Sequence, residues 1–284
     1  MSQLSKWHHY VPEGVLKRFC YAEPKLWYFS KARPSEGICS RDIGKKFRRR
    51  HYYSTEDSTG KKSDVLEREF LQVLDSRFAD FIDDFHRICS MGVMPKISLE
   101  TRKFLQQFIY YYTKRNPDFE RTLGMSANPR VHVESAIANF EAAFGTVQTE
   151  QKQRMLTDEA IQSTYNYARV QSLARESATV NARLEKMSLH FAFSSGKSSF
   201  IVGSNPVVRL ENKEGAVLGD GNVEIWTPLT PKVMMGFAGP NSPFDECIKI
   251  PMAEVRKVNL QTIKQSTEVG SHSRQLISSL LSAR

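Results

Sequence analysis

Between Asp64 and Ser90 apolar residues recur at steps of three and four: Leu66, Phe70, Leu74, Phe78, Phe81, Ile82, Phe85 and Ile88. That spacing places them along one face of an α-helix. A stripe this long and this rich in phenylalanine must be covered by other elements, because leaving it in water forfeits the free energy of burial. The stripe therefore reads as core, not as a cofactor box. Its acids Asp80, Asp83 and Asp84 read as a solvated face. Further helices are available to cover it. Ser98-Leu99-Glu100-Thr101 has the form of an N-cap with an acid in the first turn, and predicts a helix to about Arg115. Asn116-Pro117 ends it, since proline disfavours helical geometry in the residue before it. Residues 131–145 and 157–184 carry further helical patterns, and residues 10–20 predict a short helix with Pro12 in its first turn.

Strand-like patterns stand apart from these. Leu26-Trp27-Tyr28-Phe29 is a compact aromatic run bounded by Pro24 and Pro34. Residues 54–63, rich in Ser, Thr, Gly and Lys, predict a loop. From Met187 the texture alternates: Leu189, Phe191 and Phe193 interleave with His190, Ala192 and Ser194. With a turn at Ser195-Gly196-Lys197-Ser198 and Phe200-Ile201-Val202 beyond it, 187–203 predicts a hairpin. Val223–Trp226 and Val233–Phe237 predict further strands, and 251–281 returns to helix with a break near Gly270. The order implies an α+β fold: a mainly helical domain with a small antiparallel sheet contributed largely by the C-terminal third. We expect one domain over 1–284, with a helical part at about 63–186, a sheet-rich part at about 187–240 and a terminal helical segment at 251–284.

Apolar residues make up 40% of the chain and charged residues 25%, which excludes a disordered polymer. No apolar run approaches the roughly 18 residues that span a bilayer, and Lys6 stands where a leader would be apolar, so no membrane partner is expected. Cys20, Cys39, Cys89 and Cys247 form no CxxC pair, which points to a reduced cytoplasmic setting. The net charge of +9 is unevenly spread: residues 1–62 hold 14 Lys/Arg against 6 Asp/Glu. The densest run is Lys45, Lys46, Arg48, Arg49 and Arg50 around Phe47, followed by His51, Tyr52 and Tyr53. Cations beside aromatics suit phosphate contact with base stacking, so nucleic acid or another polyanion is the expected partner; a solvated basic loop is the plainer alternative.

Chemistry is sought first at Trp7-His8-His9-Tyr10-Val11-Pro12. An imidazole can move a proton near neutral pH, and His9 with Arg18 offers an acid–base group and a cation for a phosphodiester. Alternatively His9 and Tyr10 staple the first helix. Arg115 shares the stripe of Tyr111, Phe108 and Phe104, and a guanidinium there needs an acid or a phosphate. Glu67 borders the preceding stripe, so either an Arg115–Glu67 pair links the two helices or both point into a cleft with His9 and Tyr53. Asn205-Pro206 predicts a turn at a strand end, where site residues and plain Asx turns both occur. No metal-ligand spacing is present, no cofactor is implied, and neither a P-loop nor a GxSxG elbow exists.

These residues together resemble an uncharacterised, mainly bacterial family known as domain of unknown function 4238. The resemblance rests on His9-Tyr10-Val11-Pro12 with Leu16-Lys17-Arg18-Phe19, then Leu26–Phe29, Tyr52-Tyr53, Glu67 and Glu69, and Arg115-Asn116-Pro117. Late in the chain it adds Phe200-Ile201-Val202-Gly203-Ser204-Asn205-Pro206-Val207 and Pro228-Leu229-Thr230-Pro231. It runs from residue 9 to about 260 and implies a fold and boundaries, not an activity. The family pattern carries an acid where Ser204 stands; a metal ligand or base would be lost here, whereas a turn cap would survive as serine. The function expected is contact with RNA or DNA, with metal-independent cleavage by His9 (acid–base), Arg18 and Arg115 (phosphate), Tyr53 (stacking or relay) and Glu67 (orienting), beside Asn205. The alternative is a non-catalytic sensor or effector-binding module in a phage-defence or mobile-element setting.

Overall fold

The computed structural model describes residues 5–56, 61–93, 95–122, 128–239 and 247–282. The chain starts with a strand the periodicity did not show, β1 (Trp7–His9). Pro12 then opens a helix of one turn, α1 (Glu13–Leu16), which tightens into a 3-10 turn at Lys17–Phe19. Strands β2 (Lys25–Ser30), β3 (Cys39–Asp42) and β4 (Arg48–Arg50) follow. The expected loop at 54–63 contains a minimal antiparallel pair, β5 (Thr55–Glu56) with β6 (Lys62–Ser63). Its residues 57–60 lie outside the described residues.

The phenylalanine stripe forms a helix as expected, but not a uniform one. Leu66–Leu71 is a π-helical turn, and α2 (Gln72–Ser90) continues it. The next helix, α3 (Leu99–Lys114), is capped by Ser98, whose side chain accepts from the Thr101 amide at 3.1 Å. Pro117 starts α4 (Pro117–Thr122), and α5 (Pro129–Phe144) and α6 (Thr149–Met155) follow. The helix expected over 157–184 is two: α7 (Asp158–Ala174) and α8 (Ala178–Lys186). They part because Ser177 caps α8, while the Arg175 carbonyl accepts from Tyr110 Oη at 3.2 Å and Lys114 Nζ at 2.9 Å.

The last third supplies strands β7 (Ser188–Ser194), β8 (Val202–Gly203), β9 (Val208–Glu211), β10 (Val223–Thr230), β11 (Val233–Ala238) and β12 (Cys247–Ile250). Helix α9 (Met252–Gln265), strand β13 (Glu268–Ser271) and helix α10 (Arg274–Leu281) complete it. The break expected near Gly270 is thus a strand. The larger sheet has the order β12-β7-β11-β10-β9, antiparallel except for the parallel β12–β7 pair. The second, β3-β2-β13-β8, joins both ends of the chain.

The 187–203 hairpin does not form. β7 is buried along its centre and takes β11 and β12 as neighbours, whereas β8 pairs with β13 in the other sheet. The segment between them is held by side chains and loops: Phe200 N–H donates to the Pro231 carbonyl at 2.8 Å, and Ile201 N–H to Asn259 Oδ1 at 3.1 Å. The stripe of α2 is covered from two sides. Phe78 stacks on Phe108 of α3 with centroids 3.5 Å apart, and Phe85 stacks on Phe191 of β7 at 4.3 Å. The protein is α+β, with its largest sheet drawn from the C-terminal third.

Candidate functional site

Two neighbourhoods gather the chemistry-bearing residues. The first is buried and centres on the end of α3. Arg115 is a C-cap whose side chain is 0% exposed, lying over the ring of Tyr112 at 5.1 Å. Its partner is Asp75 of α2, Nη1 to Oδ1 at 2.7 Å, and not Glu67 as the stripes suggested. The N–H directions miss the carboxylate, so the contact is an ion pair without a good hydrogen bond, and the guanidinium nitrogens have no hydrogen-bond acceptor among the described residues. Burial alone would lower the Arg115 pKa, but Asp75 together with Tyr53 and Tyr112 outweighs it, and the group is held more basic than usual. Burial likewise raises Asp75 against the pull of Arg115.

Glu67 lies in the π-helical turn, 8% exposed. Burial pushes its carboxyl up to about 7, with Arg115 opposing and Asp75 reinforcing the shift. Gln72, five residues on, hydrogen-bonds it, the spacing that a π turn brings together. Tyr53 is fully buried and donates from Oη to the Arg115 carbonyl at 2.8 Å. Burial holds its hydroxyl protonated far above the ordinary tyrosine range. Asn205 is joined at the next residue, since its Oδ1 accepts from Asn116 Nδ2 at 3.5 Å and its amide donates to Ser266 Oγ at 3.1 Å. Asn116 also caps α4 by accepting from Phe119 N–H at 2.9 Å.

Five of the six expected catalytic residues therefore surround Arg115-Asn116, with His9 at the edge, within reach of the Arg115 charge. The sixth, Arg18, is elsewhere. It donates to the Gly14 carbonyl, to the Ala79 carbonyl at 3.2 Å and to Asp83, so it fastens α1 to α2. Asp83, solvated as expected with its side chain 74% exposed, is its partner. An arginine committed to three acceptors on two helices is not placed as a phosphate clamp. Nor does fully buried Tyr53 present a face to a base, and Arg115 has no access to a phosphate from solvent.

His8 joins the same cluster through Tyr53. It is fully buried, accepts at Nδ1 from the Tyr53 amide at 2.8 Å, and shares Nε2 with the Ser5 carbonyl at 3.1 Å. Those partners require the neutral tautomer with its proton on Nε2, in agreement with a pKa that burial lowers. Ser204, where the family pattern has an acid, donates to the buried Asp118 of α4 and accepts from the Glu268 amide at 2.9 Å. Asp118 also accepts from Thr267 Oγ1 at 2.9 Å. An aspartate at 204 would accept from Glu268 as well, but would set a second carboxylate against Asp118. Serine here acts as a fastener. Glu268 in turn accepts from the hydroxyls of Tyr10 and Tyr28.

The second neighbourhood is at the surface. β1 and β4 form an antiparallel ribbon in the register Trp7↔Arg50, His8↔Arg49 and His9↔Arg48. Opposed residues share a face, so Trp7, His9, Arg48 and Arg50 lie on one side. Trp7 is 47% exposed and the Arg48 guanidinium sits 4.4 Å from its ring, which covers one face of the indole. Lys46 and Arg49 are committed to Tyr28 and Tyr52 at 4.5 and 5.5 Å. Lys45, Arg49 and Arg50 are exposed. The second half of the basic run, Arg48–Arg50, is thus a built strand, bracketed by Phe47 at φ 53° and His51 at φ 52°, whereas Lys45 closes a 3-10 turn before it. Left-handed backbone in such residues stores strain, roughly 1–2 kcal/mol each, which the burial of Phe47 offsets. His9 Nε2 lies 3.4 Å from Glu13 and 3.3 Å from the Ile43 carbonyl. Burial first, then the Arg48 and Arg115 charges, lowers its pKa against the pull of Glu13, so the ring is neutral at pH 7.

Asp75 and Asp118 are the residues that sequence reasoning missed, and Trp7 and His8 it picked out without their partners. Asp75 had a signal: it falls four residues after Leu71 and three before Phe78, an acid on an apolar stripe. The fold and the two neighbourhoods define an α+β protein with a sealed ionic cluster beside a cationic, aromatic ribbon. Residues 7–278 match the family described as Protein of unknown function (DUF4238), and the chain belongs to it. No curated protein and no solved structure matches the chain. No helix among the described residues is long and apolar enough to cross a membrane.

Proposed function

We propose that this protein binds nucleic acid, laying a single-stranded segment along the β1–β4 ribbon. The observation that carries the reading is the ribbon face itself: a half-exposed indole with arginines 48 and 50 beside it. Arginines neutralise phosphates and displace their counterions, while an exposed aromatic face accepts any base by stacking. The sealed Arg115 cluster supports a structural role over a catalytic one for its members: it locks α2 to α3 and leaves recognition to the surface. Cys20, Cys39 and Cys89 are free thiols, which supports a reducing cytoplasm as its setting.

The test is fluorescence anisotropy with labelled single-stranded RNA, single-stranded DNA and duplex across a salt series. We expect affinity to fall linearly with salt on logarithmic axes. Trp7→Ala should cost about 1–3 kcal/mol, and Arg50→Ala should lower the salt slope by roughly 1. Absence of salt-sensitive binding would overturn the reading.

A second reading, metal-independent RNA cleavage, is favoured by one observation: His9 shares the ribbon face with Arg48 and has Glu13 at 3.4 Å. A neutral imidazole there can take a proton from a 2′-hydroxyl while an arginine meets the phosphate. Incubation with labelled RNA, with and without chelator, tests it. His9→Ala should abolish cleavage and retain binding, and intact RNA after incubation with the unmodified protein sinks this second reading alone.

A further inference from the structure

The ribbon continues into a cavity that neither the basic run nor the Arg115 cluster explains. Arg50 is followed by His51, whose amide donates to the Lys6 carbonyl at 2.9 Å and so pins the turn to the segment entering β1. From His51 onward the chain lines a cavity of about 520 Å³ between the β5–β6 pair and the first turns of α7. That volume lies within the roughly 300–1,000 Å³ of small-molecule sites. Gln162, Asn166 and Tyr167, at helical spacings on α7, form its other wall. Tyr167 is 52% exposed. His51 and Ser54 belong to its wall, and just behind that wall His51 Nδ1 and Ser54 Oγ are buried with no hydrogen-bond partner among the described residues. Buried polar atoms are normally satisfied, so two orphans behind one wall leave hydrogen-bonding capacity that a side-chain rotation would offer to a ligand in the cavity.

The lining also constrains which ligand. Lys62 faces Glu56 at 3.8 Å, and Glu159 adds another carboxylate, so the wall has no surplus of cations. A phosphate would meet two carboxylates there, whereas Arg50 stands one residue outside. The acceptors on the wall are the Glu159 carboxylate, the Gln162 amide oxygen and the second lone pair of Asn166 Oδ1, which already accepts from Gln162 Nε2 at 3.2 Å; they suit a group that donates N–H bonds, and the Tyr167 ring offers a stacking face.

We propose that this cavity receives one unstacked, amino-bearing nucleobase (guanine, adenine or cytosine) of a strand whose phosphates lie on the ribbon. The inference rests on the nucleic-acid reading but is tested apart from it, with free nucleosides that carry no phosphate. Isotope-labelled protein is titrated with guanosine, adenosine, cytidine and uridine, and amide resonances are followed by NMR. At least one amino-bearing nucleoside should saturably shift Ser54, Gln162, Asn166 and Tyr167, binding about tenfold more tightly than uridine. Tyr167→Ala, on the exposed side of α7, should remove that binding while the spectrum keeps its native dispersion. If no nucleoside shifts these residues, if uridine binds as tightly as the others, or if Tyr167→Ala and Asn166→Ala both leave binding unchanged, the inference falls. Nucleoside binding without salt-sensitive strand binding would remove the ribbon and leave the cavity as a nucleoside site. Strand binding without nucleoside binding would do the reverse.

Discussion

A single arginine decides how α2 and α3 meet. With its side chain wholly buried, Arg115 cannot lose Asp75 cheaply, because an uncompensated charge would remain in the core. Asp75→Ala should therefore cost about 3–5 kcal/mol in urea unfolding, while Asp75→Leu combined with Arg115→Met should recover most of it. Recovery identifies a lock; failure to recover would show that the ion pair holds the fold in a way apolar contact cannot replace. Glu67 gives a second prediction, in pH. Its folded pKa of about 7 lies above its ordinary value of 4.5, so the folded state holds the proton more tightly. Its cost to stability is absent below about pH 4.5, grows as pH rises, and is complete above about pH 7. Glu67→Gln should thus stabilise by about 1–3 kcal/mol at pH 8 and by almost nothing at pH 4. Equal effects at both pH values would show that charge is not the cause. The sequence marked Glu67 and Arg115 as misplaced charges on apolar stripes, but the partner it suggested was wrong. The π-helical turn shifts residue spacing at Glu67, and no periodicity of 3.6 can anticipate that.

Elements were legible in proportion to their length and regularity. α2 and α3 stood out because a stripe of several turns is hard to mimic. β1 and β4, of three residues each, have no alternation long enough to see, and they became a ribbon only through pairing across the chain. The candidate interface was therefore half legible: the cations were plain, but the partner strand that sets Trp7 beside them was not. The 187–203 hairpin failed for a related reason, since a local turn was available but β7 needed two neighbours. Gly203 shows how closely β8 meets α9. A Cβ there would come 2.2 Å from Ser266 Oγ and 2.8 Å from Thr262 Cγ2. Gly203→Ala should cost about 1–3 kcal/mol in stability by overpacking. Hydrogen exchange should quicken first in β8 and α9, and an unchanged exchange pattern would mean that the helix yields freely.

Across the whole molecule, Asp118 ties together segments that local sequence cannot relate. Its carboxylate is buried and accepts from Ser204 after β8, 86 residues on, and from the Thr267 amide before β13, 149 residues on, at 3.0 Å. Glu268, next to Thr267, then reaches Tyr10 and Tyr28, so α4, the second sheet and the link from β1 to α1 share one polar node. β13 is the interior strand that joins β2 to β8 within that sheet. Removing the carboxylate takes the acceptor from the hydroxyls of buried Ser204 and half-buried Thr267, while the Thr267 amide keeps Ser204 Oγ at 3.0 Å, and each unsatisfied group costs about 1–3 kcal/mol. Asp118→Ala should therefore destabilise by about 3 kcal/mol, lowering the melting temperature by roughly 6 °C for a chain of this size. Because the node spans the sheet, the loss should reach β2, β8 and β13 together in hydrogen exchange, as parts of one cooperative unit. Were β13 alone to lose protection, Asp118 would be a local fastener, and the two ends of the chain would be held by strand pairing without it.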